Sequence, residues 1–152
     1  MRVLVTGGTG FLGRHVAVAS GSAGHEVVLV DRQPVPPYAV AALGGTPVEL
    51  ADVTDHAAVS ALIARHRPDV VVHLAAALTD ACAEDPARGA HLNCVGTAAV
   101  LAACGQARVP RVLYASSMSA LASGPGLPRG DDRPLGPGTP YLSLRIAQDK
   151  IL

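Results

Sequence analysis

The chain has no tryptophan, one phenylalanine and three tyrosines, so aromatic residues make up only 3% of its 152 residues. Its core cannot rest on ring packing. With 49% hydrophobic content it must be built from Val, Leu and Ala, which suit helices laid on a parallel sheet. A charge excess is missing too: 12 Lys and Arg balance 12 Asp and Glu, and no basic cluster occurs. That removes the electrostatic footprint expected for nucleic acid or anionic lipid and leaves small molecules as the expected partners. Long hydrophobic runs are also absent. Val3-Leu4-Val5 is broken at once by Thr6 and Gly7, so it reads neither as a signal peptide nor as a membrane span, and a cytoplasmic protein is expected. Cys82, Cys94 and Cys104 are odd in number and lack CxxC spacing, and they read as reduced packing residues; no metal site is expected.

What is present is an alternation of strand-length apolar runs with longer helical patterns, the signature of repeated βαβ units. Five strands are expected, at Arg2–Thr6, Glu26–Asp31, Pro47–Leu50, Asp69–Ala75 and Arg111–Ser116. Runs such as Val27-Val28-Leu29-Val30 and Val70-Val71-Val72 do not alternate with polar residues, which implies helices on both faces of the sheet. Helices are expected at Phe11–Ala23, His56–His66 and Pro86–Ala107, and from Thr139 to the end. Asp55 is placed to cap the second, and Pro86 to sit in the first turn of the third. The Gly- and Pro-rich stretch Ser123–Pro140 reads as a long loop of the kind that approaches a ligand.

The first strand runs into Gly7, Gly10 and Gly13 and then a helix, the context in which a glycine fingerprint becomes informative. Gly7 permits a tight turn, Gly10 lets backbone approach a pyrophosphate, and Gly13 lets the helix pack on the strand, with Phe11 and Leu12 between them. Asp31 ends the second strand 21 positions beyond Gly10, near the spacing of the acid that accepts from the adenosine ribose hydroxyls. The whole chain, 1–152, therefore reads as one doubly wound α/β domain of Rossmann type. Its expected cofactor is NAD, because a carboxylate at Asp31 repels a 2′-phosphate. NADP is the lesser expectation, with the adjacent Arg32 able to favour it.

These and further segments resemble the extended short-chain dehydrogenase/reductases, in particular the NAD-dependent nucleotide-sugar epimerase/dehydratase group. TGGTGFLG (6–13) is similar to that family's TGxxGxxG, Asp31-Arg32 to its coenzyme-selecting strand end, and Asp52-Val53 to the segment that contacts adenine. His73-Leu74-Ala75-Ala76 resembles its HLAA segment, which lines the cofactor. Asn93 falls at the family's Asn that orders the long fourth helix and the active site. Tyr114-Ala115-Ser116-Ser117 resembles the strand end bearing the catalytic Ser or Thr, and Pro140-Tyr141 the start of the PYxxxK helix. Each has a plainer reading beside this one: Asp52 also suits a turn, His73 packing, Asn93 a solvated helix, Ser117 a strand-end hydroxyl shared with Ser116 and Ser119, and Tyr141 a packing aromatic.

The resemblance implies strand order 3-2-1-4-5, a nucleotide-sugar substrate, Tyr141 as acid/base, Ser117 polarising the substrate oxygen, and contact of Tyr141 and residue 145 with the coenzyme. It also implies self-association through the helices at 86–107 and 139–152. A free phenol titrates near 10, so a tyrosine base needs a neighbouring cation. The family's cation is a Lys four positions on; here that position is Arg145, bulkier and forked. Lys150 stands nine positions beyond Tyr141, on the opposite helix face. The family's chains are about twice as long and carry a substrate lobe that this sequence lacks, so a fragment or a shortened product is expected. A non-catalytic NAD-binding module and, further off, an NADPH-dependent reductase of small carbonyl compounds remain as alternatives.

Overall fold

A computed structural model describes residues 1–121, 133–136 and 138–149. Five parallel strands, β1 (Arg2–Thr6), β2 (Glu26–Asp31), β3 (Val48–Leu50), β4 (Val70–His73) and β5 (Arg111–Tyr114), form one sheet in the order β3-β2-β1-β4-β5. The unbroken Val and Leu runs place every second residue on each face. Leu4, Val30 and Val71 pack with Val59, Leu62, Ile63, Val100 and Ala103 from α3 (His56–His66) and α6 (Thr97–Gln106). Val3, Val5, Val27, Leu29 and Val72 pack on the other face with Ala17 of α1 (Phe11–Ser22) and Leu43 of α2 (Val40–Leu43). Both faces are covered, as a parallel sheet requires.

Asp55 caps α3 by accepting from the Ala58 N–H at 3.0 Å, and Pro86 opens α5 (Pro86–Ala90), where its missing N–H costs nothing. β3 and β4 each start one residue later than the sequence implies, at Val48 and Val70, and two strands end earlier. β4 stops at His73 rather than Ala75 and β5 at Tyr114 rather than Ser116, because β1 stops at Thr6. Thr6 pairs with His73 and His73 with Tyr114, so a strand residue beyond that row has no neighbour. The chain leaves the sheet there, with the Leu74 N–H donating to the Thr6 carbonyl.

The helix expected as one piece from Pro86 to Ala107 is instead α5, a π-helical turn at His91–Gly96, and α6. Short elements also escape sequence patterning: α4 (Thr79–Glu84), a 3₁₀ turn at Pro37–Ala39 with the α2 it leads into, and a 3₁₀ turn at Met118–Ala120. The last helix, α7 (Pro140–Asp149), packs against α4, α5 and the π turn. Most of the loop expected at Ser123–Pro140, and Lys150, lie outside the described residues. Of that loop, Leu135 bridges back to Leu121, and the Gly136 N–H donates to the Ala120 carbonyl. No described helix is long and apolar enough to cross a membrane.

Candidate functional site

Val30 of β2 and the strand ends Thr6, His73 and Tyr114 stand in one row, and above them opens a cleft of about 510 Å³ at the point where strand order reverses. Ligands enter open α/β sheets at this position. Gly7, Gly10, Phe11, Leu12 and Gly13 form one end of its lining. Asp31 and Arg32 follow from β2, Asp52 and Val53 from beyond β3, and Leu74, Ala75 and Ala76 from beyond β4.

Two glycines shape the turn. Gly7 has φ +68°, and a Cβ there would lie 2.7 Å from the Ala75 nitrogen, so the loop beyond β4 passes directly over it. A Cβ on Gly13 would strike the Gly7 carbonyl oxygen and approach the Gly8 Cα to 2.7 Å; α1 sits that close to the turn. Gly10, the N-cap of α1, offers no side-chain cap, so the first-turn N–H groups of a 12-residue helix face the cleft without a side-chain acceptor at the cap.

Asp31 meets this turn from the side. Its Oδ2 accepts from the Thr9 N–H at 3.0 Å and its Oδ1 from the Gln33 N–H at 3.1 Å, tying the end of β2 to the glycine loop. Asp52 folds its carboxylate over its own chain, accepting from the Thr54 N–H (2.9 Å) and hydroxyl (2.8 Å). The Thr54 backbone bond in particular holds its carboxyl below the usual carboxylate value, so it remains an anion at the cleft wall.

His73 lies on the cleft floor, buried, its Nδ1 2.6 Å from the Thr6 hydroxyl and its Nε2 2.9 Å from the Thr97 hydroxyl. Burial, reinforced by the Arg145 cation, pushes its pKa down to about 4, so the ring is neutral near pH 7. Asn93, in the π turn, is fully buried and does not line the cleft. It brackets the backbone of one residue: its Oδ1 accepts from the Ala77 N–H at 2.7 Å and its Nδ2 donates to the Ala77 carbonyl at 3.1 Å. The π turn thereby pins the loop whose earlier residues form the cleft wall, a use typical of such irregular turns.

At the far end Arg145 lines the cleft although its side chain is nearly buried, and it donates through Nη2 to the Ala115 carbonyl. Its guanidinium lies over the rings of Tyr114 (5.5 Å) and Tyr141 (5.7 Å). Tyr141 is buried one helical turn before it, and neither Tyr141 nor Ser117 lines the cleft, whereas Ser116 does. Tyr114, Leu78 and Leu92 also line it and were not singled out from sequence. The run Val112-Leu113-Tyr114 has no apolar–polar alternation to show which way the tyrosine faces. The three cysteines are free thiols that burial pushes upward, Cys104 to about 11.

Residues 3–152 match the sequence profile of the NAD dependent epimerase/dehydratase family. The chain belongs to that family. A UDP-glucose 4-epimerase of Mycolicibacterium smegmatis is 32% identical over 158 aligned residues, covering all of this chain and 50% of the relative, and one from Drosophila melanogaster is 30% identical over 165, covering 99% and 47%. Among solved structures, the Thermus thermophilus UDP-glucose 4-epimerase in complex with NAD superposes with a TM-score of 0.87 at 30% identity, covering 99% of this chain and 49% of that one. The Stenotrophomonas maltophila UDP-glucose 4-epimerase, solved with NAD and formylated UDP-arabinopyranose, gives 0.89 at 28% identity, covering 99% and 47%. This epimerase/dehydratase-family chain thus spans about half the length of the relatives it matches. Its five-stranded sheet is the order the resemblance implied.

Proposed function

We propose that this chain is the NAD-binding portion of an oxidoreductase of epimerase or dehydratase type acting on a nucleotide-sugar. The carrying observation is the Asp31 carboxylate, tied to the Thr9 N–H beside the glycine turn. Backbone N–H groups able to donate to a pyrophosphate and a carboxylate able to accept from a ribose then stand side by side. The residues present fit the dinucleotide: at Gly7 and Gly13 the backbone passes where any Cβ would intrude, and the cleft volume lies in the range of small-molecule sites. In this reading Gly7, Gly10, Phe11, Leu12 and Gly13 hold the pyrophosphate, Asp31 and Arg32 the adenosine ribose, and Asp52 and Val53 the adenine. Leu74, Ala75 and Ala76 form the wall, and Asn93 keeps it in place from behind. NAD is preferred to NADP because the charge of Asp31 opposes a 2′-phosphate.

Bound NAD supplies a hydride acceptor for a carbon of the sugar. The family resemblance gives the proton transfer with the hydroxyl on that carbon to Tyr141, which packs beneath the cleft-lining Arg145 guanidinium, and the polarising of the same oxygen to Ser117, next to cleft-lining Ser116, while Arg145 supplies the positive charge that favours a tyrosinate. Neutral His73 buttresses the floor through its two threonine partners.

Calorimetry of the chain with NAD, NADP and a UDP-sugar tests the coenzyme half: NAD is expected to bind more tightly than NADP, and no affinity for either would sink the reading. Tyr141→Phe is expected to abolish NADH formation or isomer interconversion with the UDP-sugar while changing NAD affinity by less than about twofold. Arg145 in place of the family's lysine favours a second reading, a chain that holds NAD without turning over a sugar. Binding of NAD with no binding of the UDP-sugar would select it.

A further inference from the structure

We propose that Tyr114 is a positioning residue for Arg145, and that the pair together does at the cleft wall what a single lysine does elsewhere in the family. This rests on the reading that the cleft holds NAD.

A lysine ammonium is a compact, strongly hydrated point charge, and no plane has to be matched to it. A guanidinium is flat and donates in fixed directions, so a site must control both its tilt and its rotation. The end of β5 provides one element for each. Tyr114 is the last residue of the strand, held in register opposite His73, and its ring lies under the guanidinium at 5.5 Å. The next residue, Ala115, turns its carbonyl to Nη2. One dipeptide therefore supplies a face that sets the tilt and an acceptor that sets the rotation.

Tyr114 is in turn flanked on the next strand by the neutral His73 ring, at 6.2 Å between centroids with 29° between planes, itself fixed by Thr6 and Thr97. Neighbouring planar groups thus link His73 to Tyr114, Tyr114 to Arg145, and Arg145 to Tyr141 on α7. Arg145 and Tyr141 share one face of α7 at a separation of four residues, so fixing the guanidinium also fixes its place over the Tyr141 ring. The arginine at 145 is then not a weakened lysine. It is one half of a matched pair whose other half lies 31 positions earlier.

The test is NAD affinity by calorimetry on the 152-residue chain, with a thermal melt on each sample. Tyr114→Leu is expected to weaken NAD about tenfold while Arg stands at 145, and by less than about twofold in the Arg145→Lys background. Tyr114→Phe keeps the ring face and is expected to stay within about twofold, and Arg145→Lys alone to lose about tenfold. Equal losses from Tyr114→Leu in both backgrounds would mean that the ring only supports the fold, and would overturn the proposal. Undiminished binding by Arg145→Lys would overturn it as well. Should Tyr114→Leu not fold, the Tyr114→Phe and Arg145→Lys single variants still decide the matter. If the parent chain binds no NAD, the reading under Proposed function falls and takes this one with it; if the parent binds but the cycle shows no coupling, only this one falls.

Discussion

At the β1–β2 end of the cleft the glycine turn offers main chain with the Asp31 carboxylate beside it, and at the β5–α7 end the surface is side chains. The first end is close-packed: Gly7 lies under the Ala75 backbone, Gly13 against the Gly7 carbonyl, and β1 and β2 are buried nearly throughout. The second end is looser at its edge, with Arg111 and Leu113 exposed along β5, and its order comes from ring and guanidinium stacking on Tyr114. Backbone recognition tolerates almost no substitution, since nothing can move out of the way. Side-chain recognition tolerates an exchange of one cation for another provided a partner changes with it. That difference explains how a family glycine turn and a departure from the family lysine coexist in one site.

The sharpest way to break the comparison is to put a side chain into the backbone end. Gly13→Ala is expected to cost about 3 kcal/mol in urea unfolding and to remove NAD binding, because its Cβ meets backbone that cannot rotate aside. A variant within about 0.5 kcal/mol of the parent would show that the turn has slack and that the two ends do not differ as described.

Next in size is the pH response of the shared floor. His73 has its pKa lowered to about 4 in the fold and near 6.5 when unfolded. The folded state therefore refuses a proton that the unfolded state accepts between those values. Stability is fully present above about pH 6.5 and falls as the pH drops toward 4. Between pH 7 and 4.5 the parent is expected to lose about 2 kcal/mol more than His73→Gln, read from urea midpoints at both pH values. Parallel losses in the two proteins would mean that His73 is not the group responsible.

Smaller again is the change at the seam between main chain and side chain. Asp31→Asn keeps an acceptor for the Thr9 N–H but removes the charge. NAD affinity is expected to fall about tenfold and the gap between NAD and NADP to narrow, measured by calorimetry with both coenzymes. An unchanged ratio would assign the preference to another group.

The backbone end was legible in the sequence because its determinants are local. Gly7, Gly10 and Gly13 sit on consecutive turns, Asp31 ends the next strand, and Asp55 caps α3 three residues from its donor. The side-chain end was legible only in its members. Arg145 could be recognised as a departure, but that it stacks on Tyr114 depends on the β4–β5 register and on how α7 packs, which no spacing encodes. The ends of β4 and β5 were overextended for the same reason: a strand stops where its neighbour stops, and β1 stops at Thr6. The π turn at His91–Gly96 was hidden inside a helical pattern, because what holds it is the pair of bonds from Asn93 to Ala77, sixteen positions away.

The smallest expected effect concerns whether the Asp52-Val53 wall depends on the helix behind it. The Asp55 side chain caps α3, and the Asp55 N–H donates to the Asp52 carbonyl at 3.0 Å, so cap and wall share one turn. Asp55→Ala removes a single capping bond at an exposed helix start and is expected to cost about 1 kcal/mol in urea unfolding. NAD affinity should stay within about twofold, because Asp52 holds its own carboxylate through Thr54 and needs nothing from the cap. A parallel loss of affinity would instead mean that the wall is set by the helix terminus, making this end as dependent on distant side chains as the β5 end.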